Sequence, residues 1–288
     1  STPKPSSAAS DVYKRQFVVS AKPPLDKAGK AEKPTPYVEP NLVPGDIYVV
    51  PYNNIPALEK MFKKNAKKLA CFIVEPVLEN LAIVLPDAGY LERVRELCDQ
   101  YNVVLIFDEV KTGLTAGAHG AAMRLGVKPD LITLAKSIGG GLPLAAFGGK
   151  KKYMDFVTNG KMAHFGTFNG NPLAMAGVRA IDRICSDEAL ATAEEFNLQA
   201  LTRIGDIIDE YQLPAHTVGF GIKGCVTWST TPVRNYRDYK ATDFGVAEAH
   251  WLFALNRGII TPPGLDEQWL ISLAHGQTEI DLLVEDFR

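Results

Sequence analysis

The sequence has no apolar run long enough to cross a membrane. Its longest apolar stretches, such as Val103 to Phe107, are strand-sized, well short of the roughly 18 residues a spanning helix needs. Cysteine is scarce: Cys71, Cys98, Cys185 and Cys225 are far apart and form no C-x-x-C pair. That excludes a disulfide framework and reads as buried thiols in a reducing compartment, hence the cytoplasm. Charge of one sign is also missing, with 31 Lys+Arg against 33 Asp+Glu and a net charge of -2. No global field attracts polyanions, which argues against a nucleic-acid binder and for small-molecule or protein partners. The five histidines are spread out, and His164 has no ligand-spaced partner, so no metal site is expected. There is no internal repeat, and no charged segment followed by an apolar core opens the chain, so no secretory leader is expected.

What is present is ordinary globular composition, 46% hydrophobic and 22% charged over 288 residues. At that length a fold buries roughly three-quarters of its unfolded surface without staples. Residues 1–45 stand apart: they hold eight of the nineteen prolines and seven Lys/Arg, with apolar residues mainly at Phe17, Val18 and Val19. Such a segment buries too little to offset its ordering entropy and reads as a partly disordered arm. Ser1 to Gln16 least resemble part of a fold and read as a tail or the remnant of an incomplete gene.

From Ile47 onward strand and helix signals alternate. Short strands are expected at Ile47 to Val50, Ala70 to Val74, Val103 to Phe107, Leu131 to Ala135 and Leu144 to Gly148. Helices are expected over Asn54 to Asn65 and from an Asp87 cap to Tyr101. Buried strands separated by helices predict an α/β fold, a mainly parallel sheet covered on both faces. After Asn171-Pro172 come helices to Cys185 and over Asp187 to Tyr211, a strand at Gly221 to Ser229, a helix at Asp243 to Arg257, and extended pieces at Ile259 to Thr261 and Trp269 to Leu273. A last helix runs from Thr278. The expected division is a large domain over 46–200 and a smaller C-terminal α+β domain over 201–288.

In open α/β sheets ligands bind beyond the carboxyl ends of the strands. Glu75 follows the run ending at Val74, Asp108 and Glu109 follow Phe107, and Lys136 follows Ala135. Each alone reads as a solvated rim residue; together they point to chemistry. A lysine amine in a low-dielectric pocket forms a Schiff base with an aldehyde, and a carboxylate opposite a pyridine nitrogen keeps that ring an electron sink. Lys136 and Asp108 fit the two ends of pyridoxal 5'-phosphate, with a buried Asp–Lys ion pair as the plain alternative. The following Ser137-Ile138-Gly139-Gly140-Gly141-Leu142-Pro143 opposes a regular helix and reads as a loop that brings backbone close to a bound group.

Four ordered motifs carry a family resemblance: Phe72 to Val77, Leu105 to Gly113, Lys128 to Lys136 with its glycine loop, and Gly166 to Ala174. They resemble the class III aminotransferases, of the pyridoxal-phosphate-dependent fold type I. Within these the sequence is most similar to the glutamate-1-semialdehyde aminomutase-like branch, which Arg257-Gly258-Ile259 and Ile271 to His275 also resemble. The resemblance implies that Lys136 is the Schiff-base lysine, Asp108 the partner of the ring nitrogen and Val110 the floor under the ring, with Glu75 near the substrate. Thr167 would reach the phosphate of a neighbouring subunit in a homodimer with shared sites. Glu109, Ser137 and Gly166 complete the candidate cofactor contacts.

The family's N-terminal Gly-Ser/Thr phosphate helix start and aromatic-His-Gly segment have no counterpart in this sequence, so weak cofactor retention is expected. Tyr13 and Phe17 are the only aromatics in the early arm. Leu270-Ile271-Ser272-Leu273 holds no arginine for a substrate α-carboxylate, which leaves Arg234 or Arg237 as other cations. The implied activity is ping-pong transfer of an amino group from an amine or amino-acid donor to a keto or aldehyde acceptor. The alternatives are an intramolecular aminomutase and a cofactor-poor, non-catalytic binding subunit. Two weaker readings are a hydrolase elbow at Ser137 with His275 as base, and a dinucleotide fingerprint at Gly219 to Gly224 that lacks its helix and reads as a tight entry to an edge strand.

Overall fold

The computed structural model describes residues 47–262 and 268–288; the proline-rich arm, with Tyr13 and Phe17, lies outside them. Ile47 to Val50 are not a strand: they run without ladder partners among the described residues. Helix α1 (Ile55–Asn65) begins where Asn54 accepts from the Ala57 amide at 2.9 Å, beside a proline in the first turn, where no amide partner is required. Strand β1 (Cys71–Val74) follows, then α2 (Tyr90–Tyr101). Asp87 does not cap α2; the helix enters through Gly89 at φ 81°, and the Asp87 side chain turns to Arg234 instead.

Strand β2 (Val104–Asp108), short helices α3 (Thr112–Thr115) and α4 (Gly120–Arg124), β3 (Leu131–Ala135) and β4 (Ala145–Gly149) complete the first sheet. Its order is β1-β2-β3-β4, parallel at the first two pairings and antiparallel at the last. Register fixes the site: Val74 lies opposite Phe107 and Asp108 opposite Thr133, so the residues after β1, β2 and β3 emerge at one edge. Burial is uneven. Four of the five β2 residues are buried, whereas β1 begins at exposed Cys71 and β4 has no buried residue. The expected burial of all four thiols thus holds for Cys98 and Cys225 alone, because Cys71 opens a strand at the sheet edge.

Phe62, Leu58, Val94, Leu105 and Phe107 meet in the first core. Burying such side chains stabilises the fold by about 1.5–3 kcal/mol each. The sheet is also tied electrostatically. Asp130, just before β3, accepts from the Leu105 amide at 2.8 Å, Arg95 at 3.0 Å and Lys150 at 2.6 Å. Burial alone would raise its carboxyl, but these donors, Lys150 foremost, hold it below the usual aspartate range.

Helix α5 (Lys151–Thr158) leads through an exposed segment to α6 (Pro172–Ile184), which Asn171 caps on the Ala174 amide at 2.9 Å. The long α7 (Asp187–Glu210), capped by Ser186, packs on a second, antiparallel sheet of order β5-β6-β7. Its strands are β5 (His216–Phe220), β6 (Lys223–Thr227) and β7 (Gln268–Leu270). The expected strand from Gly221 is a turn followed by β6, which is the fully buried centre of its sheet and not an edge. Ile259 to Thr261 lie outside any strand. Helices α8 (Tyr236–Lys240), α9 (Phe244–Asn256) and α10 (Gln277–Phe287) finish the lobe, whose core gathers Leu190, Ile204, Val226, Trp228, Ile271 and Ile280.

Candidate active site

Two parallel pairings put three chain reversals side by side, and each begins with an ionisable residue. Asp108, the last residue of β2, is 6% exposed. Its Oδ1 accepts from the Val110 amide at 3.0 Å and from the Thr133 hydroxyl at 3.4 Å. Among the described residues no donor meets Oδ2. Glu75, one residue beyond β1, is held through both carboxylate oxygens by the Asn80 side-chain amide at 3.2 Å. Burial, then the Asp108 charge, pushes the Glu75 carboxyl up to about 7. Glu75 thus exchanges its proton near neutrality while Asp108 stands beside it.

Lys136 follows β3 directly. It sits at φ 55°, an uncommon backbone region for a residue with a Cβ, and opens a single 3₁₀ turn, Lys136–Gly139, that ends at Gly140. The loop expected here is therefore a tight turn first; the glycines stop it from becoming a helix. Helix α6 packs on this turn so closely that a Cβ at Gly177 would press on the Gly139 carbonyl. Lys136 has no ion-pair or hydrogen-bond partner among the described residues. The residue is exposed overall, yet partial desolvation of the amine lowers its proton affinity; Lys223 lowers it further, and Glu75, Asp108 and Glu79 act in the opposite direction. Asp108 and Glu75 are thus coupled electrostatically to the same amine, while the plain Asp–Lys ion pair is not formed.

The remaining candidates fall in different places. Val110 is half-buried just past Asp108, and Ser137 is half-buried in the 3₁₀ turn. Glu109 faces away from the strand-end edge: its carboxylate accepts from the Ala121 amide at 2.6 Å, the Ala122 amide at 2.9 Å and the Thr112 hydroxyl at 3.2 Å. It caps α4, and a Cβ at Gly120, at φ 70°, would collide with it. Gly166 and Thr167 lie in the segment between α5 and α6, with Thr167 exposed between Phe165 at 86% and Phe168 at 73%.

Sequence reasoning missed two groups. Glu79, wholly buried, receives Lys223 Nζ at 2.8 Å and the Thr115 hydroxyl at 3.4 Å, and its carbonyl takes Lys111 Nζ at 2.9 Å. Lys223 begins β6 of the second sheet and is 8% exposed. The available signal was a lone cation in an otherwise uncharged strand, Lys223-Gly224-Cys225-Val226-Thr227, which implies a buried anion. Arg234, a candidate substrate cation, is bonded to Asp87 through Nε at 3.1 Å and through Nη2. His275 takes the Ser272 amide on Nδ1 at 3.0 Å within a turn, and Ser137 leads into no helix, so the hydrolase elbow has no support. The G-x-G-x-x-G letters are the turn joining β5 to β6.

Residues 24–236 match the family described as Aminotransferase class-III. A glutamate-1-semialdehyde 2,1-aminomutase of Thermomicrobium roseum is 38% identical over 245 residues, 84% of this chain and 57% of that protein. An omega-transaminase from Sphaerobacter thermophilus superposes with TM-score 0.82 at 28% identity, covering 93% of this chain and 62% of its own. A β-phenylalanine aminotransferase from Variovorax paradoxus gives TM-score 0.81 at 28% identity, covering 90% and 59%. The chain belongs to the class III aminotransferase family, and its sheet and helices have that family's fold. It spans a little over half the length of the curated relatives it matches.

Proposed function

We propose that this chain binds pyridoxal 5'-phosphate and carries out transamination between a small amine donor and a keto or aldehyde acceptor. The observation that carries the reading is a pair of unfilled atoms at one sheet edge. Asp108 Oδ2 and Lys136 Nζ lack protein partners among the described residues, although both are reactive groups. That donor set fits a group with a carbonyl at one end and a protonated ring nitrogen at the other.

In this reading Lys136 holds the cofactor covalently through Nζ, Asp108 holds the ring nitrogen through Oδ2, and Val110 supports the ring face. Ser137 and Gly166, with Thr167 of a second copy, contribute to the phosphate. When bound, the cofactor supplies an electron-withdrawing ring that stores charge released at the substrate carbon. The protein supplies the rest. The Val110 amide and Thr133 hydroxyl fix Asp108, so its charge needs no reorganisation. Partial burial and Lys223 lower the proton affinity of the Lys136 amine, which in its neutral form can take a proton from carbon and return it. Glu75, close to half-protonated near pH 7, can relay a proton beside that amine. The exposed Phe165 and Phe168 around Thr167 support a homodimer. The free thiols support a reducing, cytoplasmic setting.

Relatives named as glutamate-1-semialdehyde aminomutases favour a second reading, an intramolecular shift of the amino group. An amine donor offered alone separates the two: transamination leaves keto product in amounts matching the enzyme, whereas a mutase returns an isomer. The primary test is an absorbance spectrum with pyridoxal phosphate, followed by borohydride reduction and peptide mass spectrometry. A visible band lost on reduction, with the pyridoxyl group on Lys136, is expected. Lys136→Ala should abolish both and reduce any amine exchange by at least about 1,000-fold. Modification elsewhere, or none, overturns the reading and favours a binding subunit.

A further inference from the structure

The two lobes share several buried contacts, among them Cys225 Sγ on the Ala82 carbonyl at 3.4 Å and Phe220 in the first core, and one of them carries charge. The turn joining β5 to β6 rests on α3: Ile222 donates its amide to the Thr115 carbonyl at 2.9 Å. Gly221, at φ 60°, is what lets it approach, since a Cβ there would collide with the same carbonyl. One residue further on, Lys223 passes its ammonium across the junction to Glu79, four residues after Glu75. The Glu79 side chain is 0% exposed and that of Lys223 11%. Asn197 fastens the turn from behind, donating to the Gly221 carbonyl at 2.8 Å and the Lys223 carbonyl at 2.9 Å.

We propose that the Lys223–Glu79 pair is a positioning element of the candidate site. It clamps the C-terminal lobe to the loop after β1 and to α3, which itself packs on the 3₁₀ turn that Lys136 opens, and so sets how readily that amine reacts with an aldehyde. A buried ion pair is weak evidence for stability, because hydrophobic partners often do as well, so a role in placing charge is the better account of its burial. The charges that reach Lys136 come from both lobes. Glu75 follows β1, Asp108 ends β2, Glu79 lies in the loop after β1, and Lys223 begins β6. Lys223 alone among them opposes a proton on the amine. The pair also acts on the neighbouring carboxyls, since Glu79 repels Glu75 and Glu109.

This inference deepens the pyridoxal phosphate reading and rests on it for its purpose, but its test needs no cofactor. Purified protein is treated with formaldehyde and borohydride across pH, and dimethylation of Lys136 is followed by peptide mass spectrometry. Exposed Lys128 serves as the internal reference. In Lys223→Met, Lys136 should reach half-maximal rate at higher pH than in the parent; equal midpoints overturn the proposal. In Lys223→Met the Lys136 rate at pH 7 should fall roughly threefold or more, with Lys128 unchanged. Lys223→Arg, which keeps the cation, should restore it. If Lys223→Met does not fold, the neutral pair Glu79→Gln, Lys223→Gln is read in its place. A folded variant with altered melting but an unmoved Lys136 profile assigns the pair to architecture alone and overturns the proposal. If Lys136 responds to Lys223 but takes no pyridoxyl group, the cofactor reading fails and the coupling stands.

Discussion

The two lobes contribute to the site in opposite ways. The first offers three parallel strand ends, and three of its candidate residues emerge there because register leaves them nowhere else to go. The second offers an antiparallel hairpin with a single cation at its turn, placed by a glycine-mediated contact on α3. Parallel strands of similar length concentrate chemistry at one edge by topology. An antiparallel hairpin delivers one residue at a time, at the cost of burying its charge. In the proposed reading the first lobe supplies the reacting groups and the second tunes them.

Several substitutions break or sharpen that contrast. Phe107→Ala, wholly buried in the central strand β2, should cost about 4 kcal/mol in urea unfolding and disturb Asp108 next to it. A loss below about 1 kcal/mol would show the first sheet to be far more yielding than its packing indicates. Asp130→Asn removes the anion that Arg95 and Lys150 share, Arg95 keeping Asp99, and should cost about 2 kcal/mol. Its carboxyl is lowered in the fold, so its contribution is present above about pH 4 and lost as pH falls through the folded value. The variant should accordingly lose stability at pH 7 and show a flatter acid limb.

Glu75→Gln has the opposite sign. The folded carboxyl titrates at about 7, above its unfolded value near 4.5. The parent is thus favoured below that lower value and loses the contribution as pH rises to 7. Glu75→Gln should flatten this slope and gain on the order of 1 kcal/mol at pH 8, read from urea midpoints. A parent whose stability does not fall across that interval would contradict the raised carboxyl. The smallest effect is expected at a cap: Asn171→Ala should cost about 1 kcal/mol, since it removes one side-chain acceptor from α6.

The strand-end constellation was legible because each ionisable residue directly follows an apolar run, and the Lys136 glycine loop declared itself by propensity. Several local signals misled. Ile47 to Val50 have a strand's composition but no pairing neighbour among the described residues, and Asp87 has a cap's chemistry but finds Arg234 more favourably placed. Glu109 is adjacent in sequence to Asp108, yet alternation along the chain sends it to the other side, where α4 supplies two amide donors and α3 the Thr112 hydroxyl. Lys223 gave only the weak signal of a charge within a buried strand.

Taken alone, the order of residues determined which groups stand at the ends of β1, β2 and β3, because apolar periodicity and turn chemistry act over a few neighbours. Tertiary structure decided which of those groups keep an open atom, as Asp108 and Lys136 do, and which are consumed as caps. It also decided that Glu79 meets Lys223 across 144 positions. The physical reason is that desolvation and charge pairing depend on distance in space, and only the folded chain sets that distance.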